Sequence, residues 1–302
     1  MEYLHNERNL FQQVVEQAQR VTGLVPEIIE KDYYVTIILR ELARRVPFIV
    51  FKGGTSLSKC YKVIERYSED IDITIDTTLT QGQKRTLKRN LEAITAEMGL
   101  AIPNLSETRS RRSYNKYIIT YNPLYSLMDA AIQPGVLLET SFAEVSFPVV
   151  PMDVHSIVGD MLAEEAPSLL PAYDLQPFPM KVQSLDRTLV DKVFALCDYY
   201  LANREIDKHS RHLYDIYKLL PLVNLDDSFQ ELVQSVRLER RKNAICLSAQ
   251  DNVDVTALLG KIIKGDVYKY GYIHLTSRLL AEEVGYNEAV SALSVIADSK
   301  IF

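Results

Sequence analysis

The feature that most constrains this chain is a coupled pair of short segments in its first quarter. Phe48, Ile49, Val50 and Phe51 form a short apolar run that halts at Gly53 and Gly54. That is how a buried strand enters a tight turn. One helix-length later, the chain alternates Asp70-Ile71-Asp72-Ile73-Thr74-Ile75-Asp76. This period-2 pattern predicts a strand with an apolar face and an acidic one. Each half has an ordinary reading, as a tight turn or as a solvated strand face. Together they predict strand, glycine turn, helix and strand, with the turn and the Asp70/Asp72 pair at one sheet edge. Backbone N–H groups at Gly53 and Gly54, with Thr55 or Ser56 capping a helix expected to run through Arg66, suit a phosphate. Ser56 and Lys59, near the start of that helix, are expected to reach further phosphate oxygens. Asp70 and Asp72, two apart on a strand, point the same way and suit one or two hard cations.

Around this unit the apolar spacing predicts helices over 5–22, 26–45 and 83–98, and strands over 115–121, 135–142 and 147–152. Pro167, Pro171, Pro177 and Pro179 mark 161–182 as a linker. From Leu185 the pattern is helical almost to the end. The expected organisation is therefore helices plus an α/β (α+β) core with a mixed sheet over 1–160, the linker, and a helical lobe over 183–302.

Composition excludes several functions. The 302 residues carry a net charge of -6, which argues against wholesale polyanion binding but leaves room for a local basic groove. Cys60, Cys197 and Cys246 are far apart and make neither a disulfide framework nor a zinc motif. His155, His209, His212 and His274 lack HxxxH or HExxH spacing, and there is no P-loop or Gly-x-Ser-x-Gly. The N-terminus lacks the order of a secretory signal and no long uncharged apolar window occurs, so a cytoplasmic location without a membrane partner is expected.

Metal-assisted phosphoryl chemistry normally needs a third carboxylate, to hold a second ion or accept a proton. Glu139, within Val136-Leu137-Leu138-Glu139-Thr140-Ser141-Phe142, sits on the next predicted strand among apolar residues, where a carboxylate needs a partner or a metal. Glu144 and Asp129 stand in loop-like or strand-end surroundings. The stretch 108–128 contains Arg109, Arg111, Arg112 and Lys116, tyrosines at 114, 117, 121 and 125, and no acidic residue. It reads either as an RNA-holding surface, with guanidinium groups on phosphates and rings on bases, or as a hairpin with a charged outer face. A second cluster, Arg237, Arg240, Arg241 and Lys242, reads as a solvated helix face.

Gly53-Gly54 followed by Asp70-x-Asp72 resembles the motif of polymerase-β-type nucleotidyltransferases. The fuller Gly53-Gly54-Thr55-Ser56-Leu57-Ser58-Lys59 and Ser68-Glu69-Asp70-Ile71-Asp72, with Glu30-Lys31-Asp32-Tyr33-Tyr34 upstream, resembles the AbiEii/AbiGii toxins of bacterial toxin–antitoxin and phage-defence systems. That resemblance implies a polymerase-β-type nucleotidyltransferase core. Lys192-Val193-Phe194-Ala195 matches the first half of the family's third motif, with Tyr199 where an Arg is usual. Arg211 to Leu219 resembles its fourth, with Asp215 matching and His212 replacing the first aspartate. The resemblance assigns Lys192 to nucleotide phosphate and Asp215 to completing the active centre; read without it, both are surface charges. It further implies two Mg²⁺ ions, Mn²⁺ being an alternative, an NTP donor, an RNA acceptor with the tRNA 3′ end first, and a cognate antitoxin. Two other readings stay open: an inactive nucleotide- or RNA-binding regulator, and nucleotidylation of a protein or small molecule.

Overall fold

The computed structural model describes residues 2–68, 70–125 and 135–302; Glu69 and Asp129 lie outside them. The chain divides into two compact units. The first comprises the residues up to Tyr61 together with Ser68–Val182, and the second Lys62–Tyr67 together with Gln183–Phe302.

In the first unit, helices α1 (Arg8–Thr22) and α2 (Pro26–Arg45) precede strand β1 (Ile49–Lys52), the single-turn helix α3 (Gly53–Ser56) and strand β2 (Ile71–Ile75). Helix α4 (Gln81–Glu97), strands β3 (Tyr114–Ile119), β4 (Val136–Val145) and β5 (Val149–Val154), helices α5 (Ile157–Glu165) and α6 (Leu169–Tyr173), and strand β6 (Phe178–Gln183) follow. α4 starts two residues before its apolar periodicity because Thr80 and Gln83 close a capping box there. Among the described residues the strands form one mixed sheet in the order β3-β4-β2-β1-β6-β5. One face carries Phe51, Ile71, Ile73, Tyr117, Leu138 and Val182, packed with the apolar sides of α1, α2, α4 and α5 into one core. Each fully buried Ile or Leu there contributes roughly 1.5–3 kcal/mol.

Two expectations are corrected. The helix after the glycine turn ends at Tyr61 after a wide final turn over Leu57–Tyr61, and Lys62–Tyr67 belongs to the second unit. There Arg66 bridges Leu280, and the Tyr67 and Ala281 N–H groups donate to Leu279 and Glu65 carbonyls at 2.9 and 2.7 Å. The Pro-rich stretch 161–182 is no linker either. It supplies the end of α5, all of α6 and most of β6, and Val182 pairs with Phe51 inside the sheet. Its prolines stand at helix and strand starts or between elements, where a missing N–H breaks no ladder.

The second unit is helical: α7 (Leu185–Ala202), α8 (Ile206–His209), α9 (Arg211–Leu219), α10 (Asp227–Arg240), α11 (Val255–Lys264), α12 (Lys269–His274) and α13 (Tyr286–Ser299). The Arg237–Lys242 cluster is largely held within the protein. Arg240 bonds Asp198 at 2.8 Å and Arg241 pairs with Asp251 at 2.7 Å, while Arg237 donates to the Gln250 carbonyl at 3.2 Å. No described helix is long and apolar enough to cross a membrane.

Candidate active site

In the first unit the register of four strands builds the site. Lys52 on β1 pairs with Asp72 on β2, Asp72 with Glu139 on β4, and Glu139 with Lys116 on β3. Register partners project to the same face, so the four side chains form one charged row, Lys52–Asp72–Glu139–Lys116. The row lies opposite the apolar face. Asp70 stands just before β2, half-buried and two residues from Asp72. At the outer end Lys116 Nζ lies 3.7 Å from Glu139 Oε1.

The glycine turn fits against this row. Gly53 has φ +80°, and a Cβ there would collide with Asp72 Oδ2 and lie 2.9 Å from its Cγ. The absence of a side chain lets backbone and carboxylate come together. The residues behind the turn have inward partners. Thr55 and Ser56 are fully buried; Thr55 bonds the Ser68 hydroxyl at 2.9 Å, and Ser56 Oγ donates to the Gly53 carbonyl at 2.8 Å. Neither caps α3, whose N-cap is Lys52 with no side-chain cap. Lys59 departs from its expected place at the phosphates. Its ammonium is buried and donates to Asp32 Oδ1 at 2.5 Å and Thr36 Oγ1 at 2.7 Å on α2. Asp32 also accepts from the Ile157 N–H at the start of α5, at 2.9 Å. Asp32 therefore ties α2, the Lys59 turn and α5 together.

On edge strand β3 and the turn before it, Arg109, Arg111, Arg112 and Lys116 are exposed. Arg109 donates to Ser106 and Thr108 carbonyls, and Arg112 to the Glu107 carbonyl at 3.2 Å. The tyrosines divide: Tyr114 is exposed, Tyr117 is in the core and Tyr121 stacks on Tyr34. Of these three, Tyr114 is the exposed one.

In the second unit, Lys192 on α7 and Asp215 on α9 come together in the interior rather than at the surface. Asp215 is fully buried and accepts from Arg66 Nε at 2.6 Å, Arg66 Nη2 at 2.8 Å and Lys192 Nζ at 2.5 Å. Burial pushes the Asp215 pKa upward, but Arg66 and Lys192 outweigh it and hold the carboxyl well below its ordinary value. Burial lowers the Lys192 pKa despite the attraction of Asp215. His212 lies 3.8 Å from Asp215, and burial is the main reason its pKa falls to about 4. Tyr199 stacks on His209, which in turn stacks at 5.6 Å on His212. Sequence reasoning missed Arg66, for which no local pattern gives a signal, and the Asp32–Lys59 tie, which the Glu30-Lys31-Asp32 run does signal.

A strand, a glycine turn and carboxylates aligned on neighbouring strands are the arrangement expected of a protein that handles phosphate groups. The family model for the nucleotidyl transferase AbiEii toxin, of type IV toxin–antitoxin systems, matches residues 38–284, and the chain belongs to that family. Among solved structures it is similar to MenT4, a nucleotidyltransferase toxin from Mycobacterium tuberculosis H37Rv. The match has 16% identity and a TM-score of 0.53, covering 96% of this chain and 89% of that one. At that identity the likeness speaks for the fold alone. A comparison with curated proteins finds no match.

Proposed function

We propose that this nucleotidyltransferase toxin moves a nucleoside monophosphate from an NTP to an RNA hydroxyl in the cytoplasm, the tRNA 3′ end being the first acceptor to test. Growth stops until an antitoxin counters it, as a phage-defence role would require. The observation that carries the reading is the register match of Asp72 and Glu139 beside Gly53. Carboxylate oxygens are hard donors, and a glycine at 53 lets the Asp72 carboxylate lie against the turn. Among the described residues no three His, Cys, Asp or Glu side chains already converge as a metal cluster, but the donor set fits Mg²⁺ or Mn²⁺. Asp70, Asp72 and Glu139 would hold the metal, which would neutralise charge at the reacting phosphorus.

The acceptor oxygen forms a bond to the α-phosphorus as the bond to the α–β bridging oxygen breaks. Pyrophosphate leaves, and the hydroxyl proton passes to a carboxylate of the row or to water. Gly53 and Gly54 offer backbone to the nucleotide, with Thr55 and Ser56 supporting the turn from beneath. Lys192 and Asp215, paired inside the second unit, enter this reading only through the family resemblance. Arg109, Arg111, Arg112 and Lys116 hold the acceptor. The test is incubation with each labelled NTP, Mg²⁺ and total RNA. Label in an RNA band that Asp72→Asn abolishes supports the reading. Label in protein or in small molecules moves the acceptor class, and NTP binding without label makes the protein an inactive regulator.

A further inference from the structure

The charged row is asymmetric. Lys116 at one end is paired with Glu139 at 3.7 Å. At the other end Lys52 is half-buried and is the register partner of Asp72. Among the described residues its ammonium has no hydrogen bond or ion pair. A half-buried ammonium that makes no direct bond with the carboxylate beside it keeps donors for an anion that joins it during function. Lys52 also directly precedes Gly53, whose bare backbone lies against the Asp72 carboxylate.

We infer that Lys52 binds the β,γ-phosphates of the NTP and carries the charge that develops on the departing pyrophosphate. The inference rests on the nucleotidyl-transfer reading. It adds a direction: neighbouring strands stand about 4.8 Å apart, so Lys52 lies one strand beyond Asp72 and Lys116 one strand beyond Glu139 on the opposite side. The triphosphate tail runs toward β1, while the acceptor approaches from the β3 edge, where Arg109, Arg111 and Arg112 are exposed. When the α-phosphorus bond to the bridging oxygen breaks, that oxygen keeps the electron pair, and the added charge appears on the Lys52 side. Lys59 does not compete for this role because its ammonium is engaged by Asp32 and Thr36.

The experiment measures dissociation constants for an NTP and for the matching NMP, each with Mg²⁺, in the parent protein and in Lys52→Met, Lys52→Gln and Lys52→Arg. Thermal melts accompany each variant. Lys52→Met and Lys52→Gln are expected to weaken NTP binding about tenfold, equivalent to ~1.4 kcal/mol, with NMP binding unchanged and most of the loss restored by Lys52→Arg. If the neutral variants bind NTP as the parent does, or lose NMP affinity by the same factor, Lys52 is not the triphosphate ligand and the nucleotidyl-transfer reading stands. If the parent itself binds no NTP, that reading falls and this inference falls with it.

Discussion

At the scale of single residues, Gly53 holds the turn of the first unit, and Asp215 gathers Arg66 and Lys192 inside the second. Gly-Gly is legible in the sequence as a turn, but not which glycine matters or why. Gly53 is required on two counts, its φ of +80° and its contact with Asp72. Gly53→Ala should cost roughly 1–2 kcal/mol in a urea melt from backbone strain alone, and should lower transfer activity further by displacing Asp72. Equal losses in Gly53→Ala and Gly54→Ala would refute the distinction. Lys192 and Asp215 read as surface charges because charged residues are seldom buried; nothing local in the sequence shows that Arg66 would arrive to pair with Asp215. Asp215→Asn leaves Arg66 and Lys192 short of their counter-charge and should destabilise the second unit by about 3–5 kcal/mol. Because the folded Asp215 pKa is depressed, its stabilisation is present above the ordinary carboxylate range and fades as pH falls through the folded value. A melt of Asp215→Asn as stable as the parent at pH 7 would contradict this.

At the scale of elements, those with a clean period were legible. α1, α2, β2, α4 and β4 fall within a few residues of where alternation or helical spacing predicts them. The two misreadings share a cause: local signals are silent about long-range partners. The chain beyond Tyr61 is helix-permissive, yet Lys62–Tyr67 joins the second unit through a backbone bridge. Prolines in 161–182 suggested a break, yet Val182 meets Phe51 in the sheet. Lys59 repeats the lesson, since its partners stand on a helix 23 and 27 residues earlier in the chain. Lys59→Met should therefore cost about 2–3 kcal/mol of stability, by loss of charged hydrogen bonds, while NTP affinity in the folded fraction stays unchanged. A weakened affinity without destabilisation would return Lys59 to the phosphates. The His209–His212 stack between α8 and α9 gives a pH prediction. His209 falls to about 3, chiefly by burial and then by His212 and Arg211, and His212 falls to about 4. An unfolded histidine titrates near ~6.5, so the unfolded chain takes up protons first and stability drops as pH falls from about 6.5 toward 4. His209→Phe, which keeps a ring beside Tyr199, should flatten that decline. Parallel pH–stability curves in urea for parent and variant would show that His209 does not contribute.

At the scale of the whole molecule, charge limits where the proposed RNA acceptor could be held. The net charge of -6 repels a polyanion, so affinity must come from a local surface whose cations are not consumed by carboxylates. The basic cluster on α10 fails that condition, because Arg240 and Arg241 pair with Asp198 and Asp251. The segment leading into β3 meets it. Among the described residues the Arg109 and Arg112 guanidinium groups bond backbone carbonyls, which orient a guanidinium without cancelling its charge, and Arg111 is exposed. Lying at the edge of the sheet, the segment can meet a strand of RNA without the sheet opening. Replacing Arg109, Arg111 and Arg112 together with Ala should leave NTP affinity intact and raise the KM for RNA. Three lost phosphate contacts on a single strand should reduce the slope of log affinity against log salt by about 2 units. A fold defect would show in the melt and would lower NTP binding as well, whereas loss of the acceptor surface leaves both unchanged. If the triple variant modifies RNA like the parent at every salt concentration, the acceptor surface lies elsewhere on the protein.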